Sequence, residues 1–269
     1  MIAVPESLKA VARRTGLRRS AVAQVRARYE RRFLASMPRR PQVESGRILC
    51  YHSVGTPEWG INDVSPAGFR RQIDVALRLG YRFVKPSVIA SGQGSAKDLA
   101  ITFDDGLASV LEHGAPILAE NDIPWTMFVV AGWTDGDHPF GEGLILDWKG
   151  VGSLASAGVE IGSHSMTHPD FGSLDYAMAL SELAQSRRTI AKHTGTPPTA
   201  FAIPLGQSKN WTQAASAAAR EAGYDLVYAQ SVRTRPEGTV PRTFITGVDD
   251  LRTYRAAIEG AFDSWEEWV

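Results

Sequence analysis

From residue 47 onward, short apolar runs rich in Val, Ile, Phe and Leu alternate with longer helical patterns. That alternation constrains the fold more than any other feature of the chain. Candidate strands lie at residues 47–51, 82–84, 99–103, 125–130, 159–162, 200–203 and 226–228, with candidate helices at 65–79, 107–120, 148–157, 175–194 and 211–222. Strands separated by helices imply βαβ units and a mainly parallel sheet. Seven or eight such units in about 220 residues fit an α/β barrel, or a barrel with a gap, better than a short open sheet.

In parallel α/β folds the chemistry gathers where strands end. The run Ile48-Leu49-Cys50-Tyr51 ends at His52, and Leu99 to Phe103 ends at Asp104-Asp105-Gly106. The run from Val159 to Ser163 ends at His164, with His168 four residues on, and Phe201-Ala202-Ile203 ends at Pro204-Leu205-Gly206. Two imidazoles and a carboxylate with an open position suit a catalytic divalent cation, Zn²⁺ first, with Co²⁺, Mn²⁺, Ni²⁺ or Fe²⁺ also accommodated. Neighbouring carboxylates leave a strand in different directions, so one can bind metal while the other takes a proton. A further histidine would protonate the leaving group. Each piece alone has a plainer reading: Asp-Asp-Gly and Pro-Leu-Gly as turns, His52 as a structural histidine.

Composition narrows the rest. At 43% hydrophobic and 22% charged residues, the chain is globular rather than disordered. The single Cys50 excludes an internal disulfide and a multi-cysteine zinc site. No apolar run reaches the ~20 residues of a membrane-spanning helix. With no apolar stretch after the basic N-terminus, the expected location is cytoplasmic, peripheral to a membrane if the arm binds one.

Zero net charge conceals a split. Residues 1–41 hold eleven Lys or Arg against Glu6 and Glu30, leaving the remainder at −9. The segment reads as a basic helical arm with Val22, Val25, Tyr29 and Phe33 at helical spacing, ending at Pro38-Arg39-Arg40-Pro41. The expected division is 1–41 arm and 42–269 catalytic domain. The arm could pack across the acidic body with its arginines in solvent, or rest on an anionic membrane. Residues 8–22 have the look of a helix-turn-helix, but Pro38 leaves little room for a third helix, which weighs against DNA. Because no strand-end residue precedes His52, the arm is expected to be dispensable for turnover of a small substrate.

Thr102-Phe103-Asp104-Asp105-Gly106 and His164-Ser165-Met166-Thr167-His168-Pro169 resemble the first two signature motifs of the polysaccharide deacetylases, carbohydrate esterase family 4. Phe201 to Gly206 resembles the third, and the likeness runs from about Arg47 to Thr246. The resemblance implies a distorted, incomplete (β/α)₇ barrel and metal-dependent removal of acetyl groups from an N-acetylated sugar or glycoconjugate, with metal-bound water attacking the acetyl carbonyl. It implies Asp104 as general base, Asp105, His164 and His168 as metal ligands, and the Leu205 N–H as an oxyanion donor. Trp148, Pro204 and Trp211 become candidate walls of the sugar site.

Two departures stand out. Ala202 occupies the position where many members carry arginine, so an orienting ion pair to the base is expected to be missing, and Leu205 replaces an aromatic. The late histidine motif that usually supplies the acid is absent, since no histidine follows His193. The poly-N-acetylglucosamine branch, which looks circularly permuted, carries its acid on an N-terminal strand. Cys50-Tyr51-His52-Ser53-Val54 resembles that strand, which makes His52 the candidate acid. His113, His138 and His193 read as structural, and Asp249-Asp250 as a turn or helix cap. Hydrolysis of another amide or ureide C–N bond, or a weakened carbohydrate-binding role, stay open as alternatives.

Overall fold

A computed structural model describes residues 19–36, 44–230 and 237–263. The helix-turn-helix pattern before Arg19, the 38–41 linker and the C-terminal Trp265–Trp268 stretch lie outside the described residues.

Seven parallel staves form the barrel: β1 (Arg47–Tyr51), β2 (Asp98–Phe103), β3 (Trp125–Val129), β4 (Glu160–Ser163), β5 (Ala200–Ala202), β6 (Leu226–Ala229) and β7 (Val240–Pro241 and Thr243–Phe244, broken at Arg242). Neighbours pair in chain order from β1 to β6. The seventh stave closes the circuit. Val240 pairs with Tyr228 of β6, and immediately after the break Thr243 and Phe244 pair with Leu49 and Cys50 of β1. The barrel is nearly closed but distorted, because β4 and β5 share one register pair, Ser163 with Phe201.

The seventh stave is not the one expected. Residues 82–83 pair with the start of β2 beneath β3 and add no stave of their own. The stretch Val240-Pro241-Arg242-Thr243-Phe244 carries a proline and a charge, both foreign to an interior strand, so its pattern reads as loop.

β1 and β2 are buried at every residue, which is why they read as unbroken apolar runs. After α1 (Arg19–Ser36), four of the long helices follow their expected spans closely: α2 (Pro66–Arg78), α3 (Trp148–Ser156), α4 (Tyr176–Thr194) and α5 (Gln213–Ala222), while α6 (Leu251–Ile258) is a helix that the sequence pattern did not announce. Ser65, Asp147, Asp175, Thr212 and Asp250 cap the starts of α2 to α6 by accepting a backbone N–H. Residues 107–120 differ from expectation. Leu107 bridges Ile145, and a wider turn over Val110–Gly114 precedes a short helix at Ala115–Ala119. Pro116 has no N–H to offer the preceding turn, so one continuous α-helix cannot form there.

The arm helix α1 packs against α6, in an unexpected orientation. Val25, Tyr29 and Phe33 face solvent, while Arg31 is 2% exposed and enters the body. Its guanidinium donates to Asp249 Oδ1 at 2.5 Å and Oδ2 at 2.8 Å, and to the Phe244 carbonyl at 2.8 Å. It also lies 4.6 Å from the centre of the Phe262 ring. The inward face is thus set by a buried ion pair with Leu34 and Ala35 beside it, rather than by the apolar row. Arg32, on the outer side, pairs with Asp250 at 2.9 Å where both are exposed.

These two pairs predict opposite outcomes. Arg31→Ala leaves Asp249 buried and unpaired, so urea denaturation should show a loss of about 3–5 kcal/mol. Arg32→Ala breaks an exposed pair and should cost less than about 1 kcal/mol. Equal losses would show that the burial of Arg31 carries no energetic weight.

Candidate active site

The strand ends converge on one cavity of ≈ 490 Å³. His52, Asp104, Asp105, His164, His168 and Leu205 all line it. Asp104 N–H donates to the Tyr51 carbonyl and His164 N–H to that of Val129, so the ladder itself fixes where each run ends.

Backbone strain then aims the side chains. Among the described residues, five non-glycine residues have positive φ, and four of them, Asp105, Ser165, His168 and Leu205, belong to this site. Left-handed conformations cost an L-residue of order 1–3 kcal/mol and persist where the surroundings over-determine them. At Asp105 (φ 71°) the turn swings a second carboxylate into the same cavity as Asp104. The 165–168 turn is held from outside. Glu182 of α4 accepts from the N–H groups of Met166 and Thr167 and from the Thr167 hydroxyl, and Ser165 Oγ accepts from His168 N–H.

Asp105, His164 and His168 each present a ligand atom, all within 4.8 Å of one another. Nε2 of both histidines lies 3.6 Å from Asp105 Oδ1. His164 Nδ1 sits 2.9 Å from the Ala202 carbonyl. A carbonyl can only accept, so Nδ1 carries the proton and the Nε2 lone pair faces the cavity. Burial pushes His164 down to about 3 and lowers His168, keeping both imidazoles neutral at ordinary pH. Burial pushes Asp105 up to about 6, a carboxylate short of positive charge. Two neutral imidazoles around such a carboxylate are a donor set that fits a divalent cation.

Asp104 has a different environment. The Arg242 guanidinium clasps it with Nη1 to Oδ1 at 2.6 Å and Nη2 to Oδ2 at 2.7 Å, with both residues buried. The ion pair expected to be missing is therefore present, supplied from the break in β7 instead of from position 202. Burial alone would raise the Asp104 carboxyl, but Arg242 and His164 override it and hold it well below the usual carboxylate range. The Cys50 thiol adds a weak donor at 3.4 Å from Oδ2.

His52 enters from the end of β1. Its Nδ1 is buried and has no hydrogen-bond partner among the described residues. Its ring stands edge-on to Phe244, 5.0 Å between centroids at 88°. Leu205 (φ 64°) is 37% exposed and offers an apolar face, and the Gln230 side-chain amide donates to its carbonyl at 3.4 Å.

Three expected walls are elsewhere. Trp148 lies outside the cavity lining, donating its indole N–H to Asp135 at 2.6 Å and stacking on His193 at 4.3 Å. Trp211 is 4% exposed in a separate core with Phe171 and Phe201, its N–H on Ser216. Pro204 is buried and absent from the lining, with Ile203, Leu205 and Gly206 there instead. The actual aromatic wall is Trp59, Trp133 and Phe140. Phe140 meets Trp59 at 4.8 Å and Trp133 at 5.0 Å, and Trp133 stacks on His168 at 5.1 Å. These residues sit in loops or short helical turns, where no periodicity marks them. For Arg242 a signal existed: a charge between two strand-like dipeptides must find a buried carboxylate.

The polysaccharide deacetylase sequence profile matches residues 91–227, just over half the chain. YxkH of Bacillus subtilis (strain 168), named for polysaccharide deacetylation, is 24% identical over 184 residues, covering 66% of this chain and 62% of YxkH. The chain therefore spans less than two thirds of that relative. The deacetylase PplD of Streptococcus pyogenes superposes with a TM-score of 0.69 at 21% identity, covering 81% of this chain and 99% of PplD. IcaB of Ammonifex degensii gives 0.66 at 25% identity, covering 81% of this chain and 98% of IcaB. By its sequence profile and its barrel, this chain belongs to the polysaccharide deacetylase family.

Proposed function

We propose that this protein is a metal-dependent hydrolase that removes the acetyl group from an N-acetylated sugar or glycoconjugate. The observation that carries the reading is the pairing of two differently tuned carboxylates in one cavity. Asp104 is held ionised by Arg242, and Asp105 sits beside two neutral imidazoles. Family membership and the name of YxkH support a sugar substrate, and the description of PplD as a deacetylase supports the reaction.

Asp105, His164 and His168 would hold the cation, which supplies Lewis acidity toward a water and the acetyl carbonyl. Asp104 accepts the proton of the attacking water, its carboxylate kept in place by the Arg242 fork. The Leu205 N–H donates to the oxygen on which charge develops. His52 gives a proton to the departing amine. Trp59, Trp133 and Phe140 bury an apolar part of the substrate and exclude water. The Arg242 clasp favours catalysis over a binding-only role, because a site that merely bound sugar would have no use for an ionised, oriented base. Product analysis separates deacetylation from cleavage of another C–N bond: acetate is expected, ammonia or formate is not.

We also propose peripheral contact with anionic membrane through the exposed Val25, Tyr29 and Phe33 row, with Arg28 and Arg32 exposed on the same helix. No described helix is long and apolar enough to cross a membrane. Basic residues near such a surface contribute ~1 kcal/mol each, an attraction that fades with salt. Vesicles containing phosphatidylserine should retain the protein at low ionic strength and release a Val25, Tyr29, Phe33→Ser variant. Equal retention of both would remove this row from the account.

The two carboxylates should separate in mutagenesis. Asp105→Ala, His164→Ala or His168→Ala should each lose bound Zn²⁺ and activity together. Asp104→Asn should retain Zn²⁺ by elemental analysis while kcat falls by roughly 10²–10⁴. Loss of Zn²⁺ from the Asp104 variant matching that of the Asp105 variant would show the roles to be shared.

Zn²⁺ affinity should also depend on pH through one proton. Above about 6 Asp105 is ionised and affinity should level off. Below that the cation competes with the Asp105 proton, and affinity should fall roughly tenfold per pH unit. Burial holds His164 down at about 3 and lowers His168, so the imidazoles compete for protons less than free histidines would. Competition with a chromophoric chelator between pH 7 and 4.5 reads it directly, and a two- or three-proton slope would show that the imidazoles are charged.

A further inference from the structure

The arm was expected to be dispensable, yet a buried arginine among its described residues reaches the strand that shapes the cavity. Arg31 donates to the Phe244 carbonyl at 2.8 Å and forks onto both oxygens of Asp249. Asp249 Oδ2 in turn accepts the Thr246 N–H at 2.8 Å, and Ile245 N–H donates to the Cys50 carbonyl at 2.9 Å. Residues 244–249 are thereby clamped between α1 and β1. Phe244 lies at the end of β7, lines the cavity and presents its ring to the edge of His52.

His52 makes this clamp consequential. Metal-ligating and catalytic histidines are ordinarily oriented by a hydrogen bond to the second ring nitrogen. Among the described residues Nδ1 of His52 has none. Ring packing must then do the orienting, and the aromatic ring packed against it is Phe244 at 5.0 Å and 88°. A hydrogen bond would fix the ring's direction locally, whereas an edge-on contact fixes it only as well as the Phe244 backbone is fixed.

We infer that Arg31 is a positioning residue for the reaction: by holding the Phe244 backbone it sets the orientation of the His52 ring. This rests on the reading of His52 as the proton donor to the leaving amine. The donor must point within a few tenths of an ångström of the leaving nitrogen, and misplacement by about 1 Å can cost 10²-fold. A departing amine needs that proton, while a departing nitrophenolate does not.

The experiment uses the full chain and a double variant, Arg31→Met with Asp249→Asn, which leaves no buried charge unpaired and keeps an acceptor for the Thr246 N–H. In ¹³C-histidine-labelled protein the His52 ring cross-peak is assigned by its loss in His52→Ala. In the double variant that peak should move, as Phe244's ring current on it changes, while those of His164 and His168 stay in place. Turnover is followed on an N-acetylglucosamine oligomer and on 4-nitrophenyl acetate. The amide-to-ester ratio of kcat should fall by roughly tenfold, with Arg31→Lys, which keeps the charge but not the fork, intermediate. An unmoved His52 peak with an unchanged ratio, in a variant that is merely less stable, would overturn the inference. Equal loss on both substrates in His52→Ala would instead overturn the acid reading, and the His52 peak still reports separately whether Arg31 positions the ring.

Discussion

Arg242 and Asp104 meet inside the barrel through two N–H···O contacts of 2.6 and 2.7 Å, and both the closure of the barrel and the charge state of the site depend on that meeting. Taking both groups from water costs several kcal/mol each, which only a bidentate geometry with further partners can offset. Arg242 has them in part: Nη1 also reaches the Thr102 hydroxyl at 3.2 Å, and the guanidinium lies 5.4 Å from the Phe128 ring centre. The same residue interrupts β7, so the stave pairs with β6 before it and with β1 after it. Had the stave run on unbroken, either the seam or the ion pair would be lost.

The pair also explains how two adjacent aspartates acquire opposite characters. Both are buried, and burial alone would raise both. Arg242 pulls Asp104 down and leaves it an ionised acceptor, while Asp105 faces two neutral imidazoles and is raised. Divergent environments for neighbouring titratable groups are what distinguish acid–base chemistry from a merely acidic patch. The positive φ at Asp105 makes the division possible, since an extended backbone would have sent the second carboxylate out of the cavity.

Much of this was legible in the sequence because parallel strands announce their ends. His52, Asp104, Asp105 and His164 stand where strands end, His168 lies four residues on, and all five line the cavity. Tryptophans were not legible in the same way. An indole beside a motif can as well close a core, as Trp211 does against Phe171 and Phe201, or stack on a neighbouring helix, as Trp148 does on His193. Trp59 and Phe140, which do wall the cavity, come from segments with no period to read. The arm misled for a related reason. Helical spacing of Val25, Tyr29 and Phe33 suggested an inward face, but one arginine with a carboxylate waiting 218 residues away decided the rotation.

The departure at position 202 looks, in one dimension, like the loss of a catalytic part. In three dimensions Ala202 keeps the role its backbone can perform, accepting the His164 Nδ1–H and so turning Nε2 toward the cavity. That role is indifferent to the side chain. The guanidinium is separable from it because it acts at its tip, several bonds from its own backbone, and an arginine on any stave within reach of Asp104 can deliver it. Position 202 lies on β5 and Arg242 at β7, the two staves that flank β6. Charge and geometry at Asp104 constrain where the guanidinium must arrive, but not the strand from which it comes, and a motif read along the chain sees only the latter.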